Sequence, residues 1–366
     1  MEKKRIVVGM SGGIDSSVAA GILVEAGHDV IGVTIKTYNY DDIGGNAAND
    51  TSCCSLDGIN DAREVCAQLG IPHYVFDFSQ PFRENVIDRF IATYMEGSTP
   101  NPCVICNRKI KWEELIRKGM EIGADVVAMG HYARLGFDPA NGRRWISRGR
   151  DSAKDQSYAL WAVSQESLAC TVLPLGDWTK AETRAWAESR GLRTAVKRES
   201  YEICFIPDND YTRFLRENVK GLEQRVAGGS VLFEGKEIGR HDGYPFYTIG
   251  QRRGLNVAAG EALYVTGIDA ASNTVTVGRK NELLRRSCVA GDVTMQKYPF
   301  PEAPVRVEAK IRYKDTAAPA TLYPLGNGRI RIEFDEAKSA ITRGQSTVWY
   351  DGEDVVGGGV IEEVPE

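Results

Sequence analysis

RIVVGMSGGIDSSVAAGILVEAG, residues 5–27, holds the reading of the fold. Its first half is a short apolar run ending at Met10, and its second half is an apolar segment of helical length. Between them stand Gly9, Gly12 and Gly13 together with Ser11, Asp15, Ser16 and Ser17. Glycines at a strand-to-helix turn let backbone N–H groups approach phosphate oxygens, and the helix N-terminus adds its partial positive charge. The loop matches neither the P-loop, since no lysine follows the glycines, nor the dinucleotide pattern G-x-G-x-x-G. A bare turn would need glycines but not serines and an aspartate besides.

Outward from this stretch, strand-like and helix-like segments alternate: DVIGVTI, NDAREVCAQLG, HYVFDF, IKWEELIRKGMEIG and ADVVAMGHYA. That rhythm predicts β-α-β units and a parallel sheet covered on both faces, continuing to about residue 150. TKAETRAWAESRGL predicts a helix stopped by Gly191. From about residue 226 short alternating runs between Gly, Asn and Asp turns predict antiparallel β structure. The expected layout is an α/β domain over residues 1–215, a central linking domain over 216–282 and a C-terminal antiparallel domain, a small β-barrel or sandwich, over 283–366.

The chain has 366 residues, 42% of them hydrophobic, and a formal net charge of −5. Nothing global marks a nucleic-acid binder, but basic residues gather locally at Arg108, Lys109 and Lys111, at Arg143, Arg144, Arg148, Arg150 and Lys154, and at Arg306, Lys310, Arg312 and Lys314. The opening apolar run is too short for a secretory signal, and no stretch approaches the roughly 20 apolar residues of a membrane span. The expectation is a cytoplasmic protein whose eight cysteines are thiols.

TPNPCVICNRK, residues 99–109, spaces Cys103 and Cys106 as C-x-x-C. Zinc, redox and sulfur chemistry share that spacing. A closed zinc site wants four ligands, yet Cys53 and Cys54 are adjacent and His28, His73, His131 and His241 form no close pair. Cys66, Cys170 and Cys288 lie in apolar patterns and read as buried small hydrophobes, and His131 reads as a packed histidine.

SGGIDS resembles the pyrophosphate loop of the PP-loop family, the N-type ATP pyrophosphatases. The resemblance implies cleavage of ATP between its α and β phosphates and adenylation of a carbonyl oxygen, with Asp15 a candidate magnesium ligand. GMSGGIDSSVAA, NPCVICNRKIKW, MGHYAR, KDQSYAL, LGDWTKAETR, ESYEICFIP, YTIGQRRGL, AKIRYKD and GQSTVWYDGEDVVGGGVI are similar, in order, to landmarks of the tRNA-specific 2-thiouridylase family. This resemblance covers nearly the whole chain. It implies a sulfurtransferase that puts sulfur on the wobble uridine, position 34, of tRNAs for lysine, glutamate and glutamine.

By that resemblance Cys106 corresponds to the nucleophile and Cys204 to the persulfide carrier, the two finishing as a transient disulfide. Sulfur would come from a cysteine desulfurase or a relay protein. ATP would lie over Gly9, Met10, Ser11, Gly12, Gly13, Ile14, Asp15 and Ser16 and touch Ile35 and Gly130. Asn101, Pro102 and Cys103 would line the uridine pocket, while Lys154, Asp155, Gln156, Arg312 and Tyr313 would face the tRNA. Cys103 departs from one family form, in which an aspartate stands there. Three cysteines, Cys103, Cys106 and Cys204, leave open a second route through a 4Fe-4S iron–sulfur cluster. Two other classes compete. A PP-loop ligase or amidotransferase would have no use for the Cys106 and Cys204 pair, and a non-enzymatic tRNA- or metal-binding module would not consume ATP.

Overall fold

The structure, a computed structural model, describes residues 2–38, 56–197, 203–255, 257 and 260–365. Cys53, Cys54 and residues 199–202 of the ESYEICFIP stretch lie outside the described residues. The chain divides into two compact units. One comprises Met1–Val86, Pro102–Asn209 and Glu353–Val356, the other Ile87–Asn101, Asp210–Gly352 and Gly357–Glu366.

In chain order the first elements are β1 (Arg5–Gly9), α1 (Ile14–Glu25), β2 (Asp29–Lys36), α2 (Leu56–Leu69), β3 (His73–Asp77), α3 (Ser79–Phe82), α4 (Asp88–Met95), α5 (Pro102–Ile105), α6 (Leu115–Glu121), β4 (Val126–Ala128), β5 (Ala133–Phe137), β6 (Arg144–Arg148), α7 (Gln165–Ala169), β7 (Thr171–Val172) and α8 (Lys180–Ser189). Five strands make a parallel sheet in the order β3-β2-β1-β4-β7. The apolar runs of β1, β2 and β4 are buried because helices cover both faces, the condition under which parallel strands lose polar alternation. One face packs Ile6, Val8, Leu23, Val30, Ala62, Val65 and Cys66, while Ile14, Val18, Tyr132, Leu175 and Ala187 form a second cluster.

The expected continuation of this sheet to residue 150 is corrected by the structure. β5 and β6 form an antiparallel hairpin instead, and the fifth parallel strand is the two-residue β7.

Helix α1 buries Ser16, Ser17, Ala19, Ala20 and Gly21 as well as its aliphatic residues. Gly21 is required by contact: a Cβ there would stand 2.1 Å from the Trp186 ring of α8. The seat is fastened at its far end, where Arg190 pairs with Glu25 (Nε to Oε1 2.7 Å) and lies 4.0 Å over the Trp186 ring. Thr179 caps α8 through a complete capping box with Glu182.

In the other unit, α9 (Tyr211–Asn218) and α10 (Leu222–Val226) precede β8 (Gly229–Phe233), β9 (Lys236–His241), β10 (Tyr264–Asp269) and β11 (Thr274–Gly278). These form a four-stranded sheet, order β10-β11-β8-β9, whose β8 and β11 run parallel against the all-antiparallel expectation. β12 (Leu284–Met295), β13 (Val305–Lys310), β14 (Ala318–Pro324), β15 (Ile330–Ser339), β16 (Ser346–Asp351) and β17 (Asp354–Glu363) follow. They build an antiparallel barrel in the order β12-β15-β14-β13-β16-β17, closed by β12 against β17. Closure removes sheet edges.

Candidate active site

Loop residues 9–13 lie at the carboxyl end of β1, the central strand, and lead into α1. Ligands of open parallel sheets bind outside these strand ends. Met10 is tied down by its N–H to the Val33 carbonyl at 2.7 Å. Ser11 N–H donates to Ser16 Oγ at 3.2 Å, Gly13 N–H to Ser11 Oγ at 3.3 Å, and Ser16 Oγ to the Gly13 carbonyl at 3.1 Å. Ser17 Oγ donates to the same carbonyl at 2.8 Å. The serines of SGGIDSS therefore brace the turn, and Ile14 is part of the core. Gly130, after β4, lies against the loop: a Cβ there would meet the Asp15 carbonyl carbon at 2.7 Å. Ile35 sits near the end of β2, a strand that flanks β1 on the side away from β4.

The carboxylate of Asp15 is held from outside the loop. Lys180 Nζ, at the start of α8, donates to its two oxygens at 2.7 and 2.9 Å. Tyr132 Oη lies 2.7 Å from Asp15 Oδ1 and 2.9 Å from Thr183 Oγ1 of α8. A second lysine, Lys197, donates to the Gly12 carbonyl at 3.1 Å and to Asp61 at 2.5 Å.

Cys106 opens a π-helical stretch, Cys106–Glu114, between α5 and α6. Wide helical turns of this kind recur at functional sites. Two side chains fix it: Asn107 Nδ2 donates to the Ala159 carbonyl at 2.9 Å and Trp112 Nε1 to Thr171 Oγ1 at 2.8 Å. Cys204 is anchored by its surroundings. Its carbonyl accepts from Tyr38 Oη at 3.1 Å, and the neighbouring Phe205, fully buried, sets its ring edge against Phe82 at 5.7 Å. Phe82 belongs to α3, and α3 also packs on the π-helical stretch that Cys106 begins. Both cysteine segments thus share α3 as a neighbour. Cys106 and Cys204 are half-buried, and Cys103 is exposed.

Three family models cover the chain in sequence. A tRNA methyl transferase HUP domain matches residues 4–208, a tRNA methyl transferase PRC-barrel domain 214–279 and an aminomethyltransferase beta-barrel domain 285–361. The tRNA-specific 2-thiouridylase MnmA of Salinibacter ruber is 48% identical over 365 residues, covering 99% of this chain and 95% of the relative. That of Pelotomaculum thermopropionicum is 47% identical, covering 99% and 98%, and that of Amoebophilus asiaticus 48%, covering 99% and 96%. The chain belongs to the tRNA-specific 2-thiouridylase family. It is accordingly a PP-loop enzyme of the tRNA sulfurtransferase class.

Within this family member, the residues expected to face tRNA divide by what their side chains do. Asp155 accepts from Gly149 N–H and Ser157 N–H, both at 3.1 Å, and from Ser157 Oγ at 2.8 Å. Gln156 Oε1 accepts the Tyr132 N–H at 2.9 Å. Both brace the fold behind the loop. Lys154 is half-buried beside them, Pro102 is buried as the first residue of α5, and Asn101 is half-buried. Arg312 and Tyr313 stand exposed in the turn after β13, Arg312 with long contacts of 3.4 and 3.5 Å to the Ser339 and Ala340 carbonyls.

Of the basic residues near Cys106, Lys109 pairs with Glu113 at 2.9 Å and Arg108 approaches it at 3.6 Å, which offsets part of their positive field. Lys111 lies close enough to His131 to disfavour its protonation. Burial and this charge push that imidazole down to about 3, and the ring packs on Trp112, which fits a packed neutral histidine. Cys66 and Cys288 are buried and their thiols pushed up to about 12 by desolvation, whereas Cys170 is half-buried.

Among the described residues no three of His, Cys, Asp and Glu gather as a metal site. Cys103, Cys106 and Cys204 are not gathered as such a group in this structure. The oxygens of Asp15 are engaged by Lys180 and Tyr132, so a magnesium ion would have to displace the ammonium. Lys180, Tyr132 and Lys197 are the residues that sequence reasoning misses. The T-K-A-E capping signature could have placed Lys180 in the first turn of α8, but nothing local tells that this turn meets Asp15.

Proposed function

We propose that the protein uses ATP to activate the C2 oxygen of the wobble uridine in tRNAs for lysine, glutamate and glutamine, and replaces it with sulfur. The adenylated oxygen leaves as AMP, pyrophosphate having left at adenylation. The terminal sulfur of a Cys204 persulfide attacks C2, giving a C2–S–S–Cys204 linkage. Cys106 thiolate then attacks Cys204 Sγ, the S–S bond breaks with its electrons going to the uridine sulfur, and a Cys106–Cys204 disulfide remains. A cellular dithiol reopens it, and a cysteine desulfurase or relay protein reloads the persulfide. Thiols in this cycle suit the cytoplasm.

The observation that carries this reading is that the Cys106 helix and the Cys204 segment both pack on α3 in the unit that holds the PP-loop. Two cysteines anchored around one short helix support thiol exchange between them. In this reading the loop residues Gly9 to Ser16, with Ile35 and Gly130, receive ATP, and Asn101, Pro102 and Cys103 receive the uridine. Lys154, Arg312 and Tyr313 contribute tRNA contacts, and Asp155 and Gln156 shape the loop that presents Lys154. No step is routed through an iron–sulfur cluster.

The test is mass spectrometry of tRNA nucleosides after incubation with ATP and a persulfide donor. Wild type yields 2-thiouridine and tRNA-dependent AMP. Cys106→Ser and Cys204→Ser keep ATP binding and yield no 2-thiouridine. Turnover by Cys204→Ser removes the persulfide role, and AMP release that ignores tRNA favours a ligase.

A further inference from the structure

The loop poses an electrostatic problem. It is built to receive a polyphosphate, yet it carries a carboxylate, Asp15, in the first turn of α1. Like charges in one site raise the free energy of both. A P-loop solves the problem with its own lysine, and SGGIDSS has none.

The structure supplies a lysine from 165 residues further on. Lys180 Nζ holds both Asp15 oxygens, and its side chain is only 12% exposed against 33% for Asp15. The lysine is fixed by its helix: the Lys180 N–H donates to Asp151 Oδ2 at 2.9 Å, Thr179 caps the turn, and Trp186 is seated on Gly21. Tyr132 binds Asp15 and Thr183 together, so the ammonium faces the loop from a rigid support. Lys197 does not fill this role, because it is committed to the Gly12 carbonyl and Asp61.

We propose that Lys180 is the phosphate-binding cation of the loop, contacting the polyphosphate of ATP while the Asp15 carboxylate holds its ammonium in place. An ammonium has three donors, so one can turn to a phosphate oxygen while others stay on the carboxylate. Lys180 thus does from α8 what the P-loop lysine does from within its own loop. This inference rests on the proposed use of ATP at the loop.

The experiment measures binding of ATP and of adenosine by calorimetry, each with magnesium and with EDTA. Lys180→Met is expected to weaken ATP at least tenfold in both media and to leave adenosine within twofold. Lys180→Arg recovers part of the loss. Because Lys180→Met leaves Asp15 without its counter-charge, the double variant Asp15→Asn/Lys180→Met is compared with Asp15→Asn alone, thermal melting verifying the fold of each. A further tenfold loss of ATP affinity on removing Lys180 in the Asp15→Asn background, where no carboxylate remains to be balanced, supports phosphate contact. No further loss there shows that Lys180 only balances Asp15 and overturns the proposal. If Lys180→Met binds ATP as wild type does while Gly13→Val does not, this inference fails and the loop reading stands. If wild type binds no ATP, the loop reading itself fails.

Discussion

The carbonyl oxygen of Gly58 occupies the space where a side chain on Gly12 would begin: a Cβ would stand 2.1 Å from it. Gly12 also has φ +69°, a left-handed conformation that L side chains rarely adopt. The first turn of α2 is therefore packed directly on the PP-loop, and the two adjacent glycines serve different ends.

Gly12→Val should unsettle the fold itself, whereas Gly13→Val should not. Gly13 has an extended backbone, φ −100° and ψ 166°, and a Cβ there would meet only Ser11 Oγ, at 3.3 Å. Thermal melting should separate them, with Gly12→Val losing several degrees and Gly13→Val staying near wild type while its ATP affinity falls at least tenfold. Equal melting temperatures for the two would contradict the packing of Gly58.

Tyr132→Phe keeps the ring in its cluster and deletes the hydroxyl that joins Asp15 to Thr183. A hydrogen bond to a charged group is worth about 1.5–3 kcal/mol. Urea unfolding should show a loss in that range, and KM for ATP should rise because Asp15 and Lys180 lose part of their support. An unchanged KM would mean that the pair is held without the tyrosine.

His131 gives a pH signature. The unfolded ring takes a proton below about 6.5. In the native protein burial, with Lys111 nearby, pushes its pKa down to about 3. Between those values the unfolded state binds the extra proton, so stability rises with pH, by at most about 1.4 kcal/mol per unit. His131→Gln should flatten the unfolding profile between about pH 6.5 and 4.5 relative to wild type. Parallel profiles would mean that the ring is protonated in the native state.

Phe205→Ala removes the buried ring that fixes the Cys204 segment to Phe82. Truncations of this kind cost about 3–5 kcal/mol. A stability loss of that size, with ATP affinity kept and 2-thiouridine formation reduced at least tenfold, is the expected result. Sulfur transfer at the wild-type rate would show that Cys204 is positioned by other contacts.

The β1-loop-α1 unit is legible in the sequence because a continuous apolar run, glycines and a helix-length segment each demand the same local structure. ADVVAMGHYA reads as one longer buried strand, but only Val126–Ala128 joins the parallel sheet, Gly130 lying against the Asp15 backbone and Ala133 opening the β5 hairpin. The strand that completes the sheet, Thr171–Val172, is too short to carry any periodicity. The alternation of β8 and β11 announces strands without saying which are neighbours or in which direction they run. The π-helical stretch is hidden because Cys106–Glu114 carries no residue signal that separates a wide helical turn from an ordinary one. Cys106 and Cys204 can be picked out by their segments, but their common neighbour Phe82 lies in a stretch that carries no motif. Lys180 shows the general limit, for its partner is set by how α8 lies on α1 and no residue next to it encodes that.

The bare surface at Gly21 gives the enzyme a remote point of vulnerability. One added methyl group would wedge the indole of Trp186 outward and lever the near end of α8, with its ammonium, away from the carboxylate at the opening of α1. A change in the placing of Lys180 can thus originate at a buried position on the opposite helix, where the size of a single side chain decides how α8 is seated.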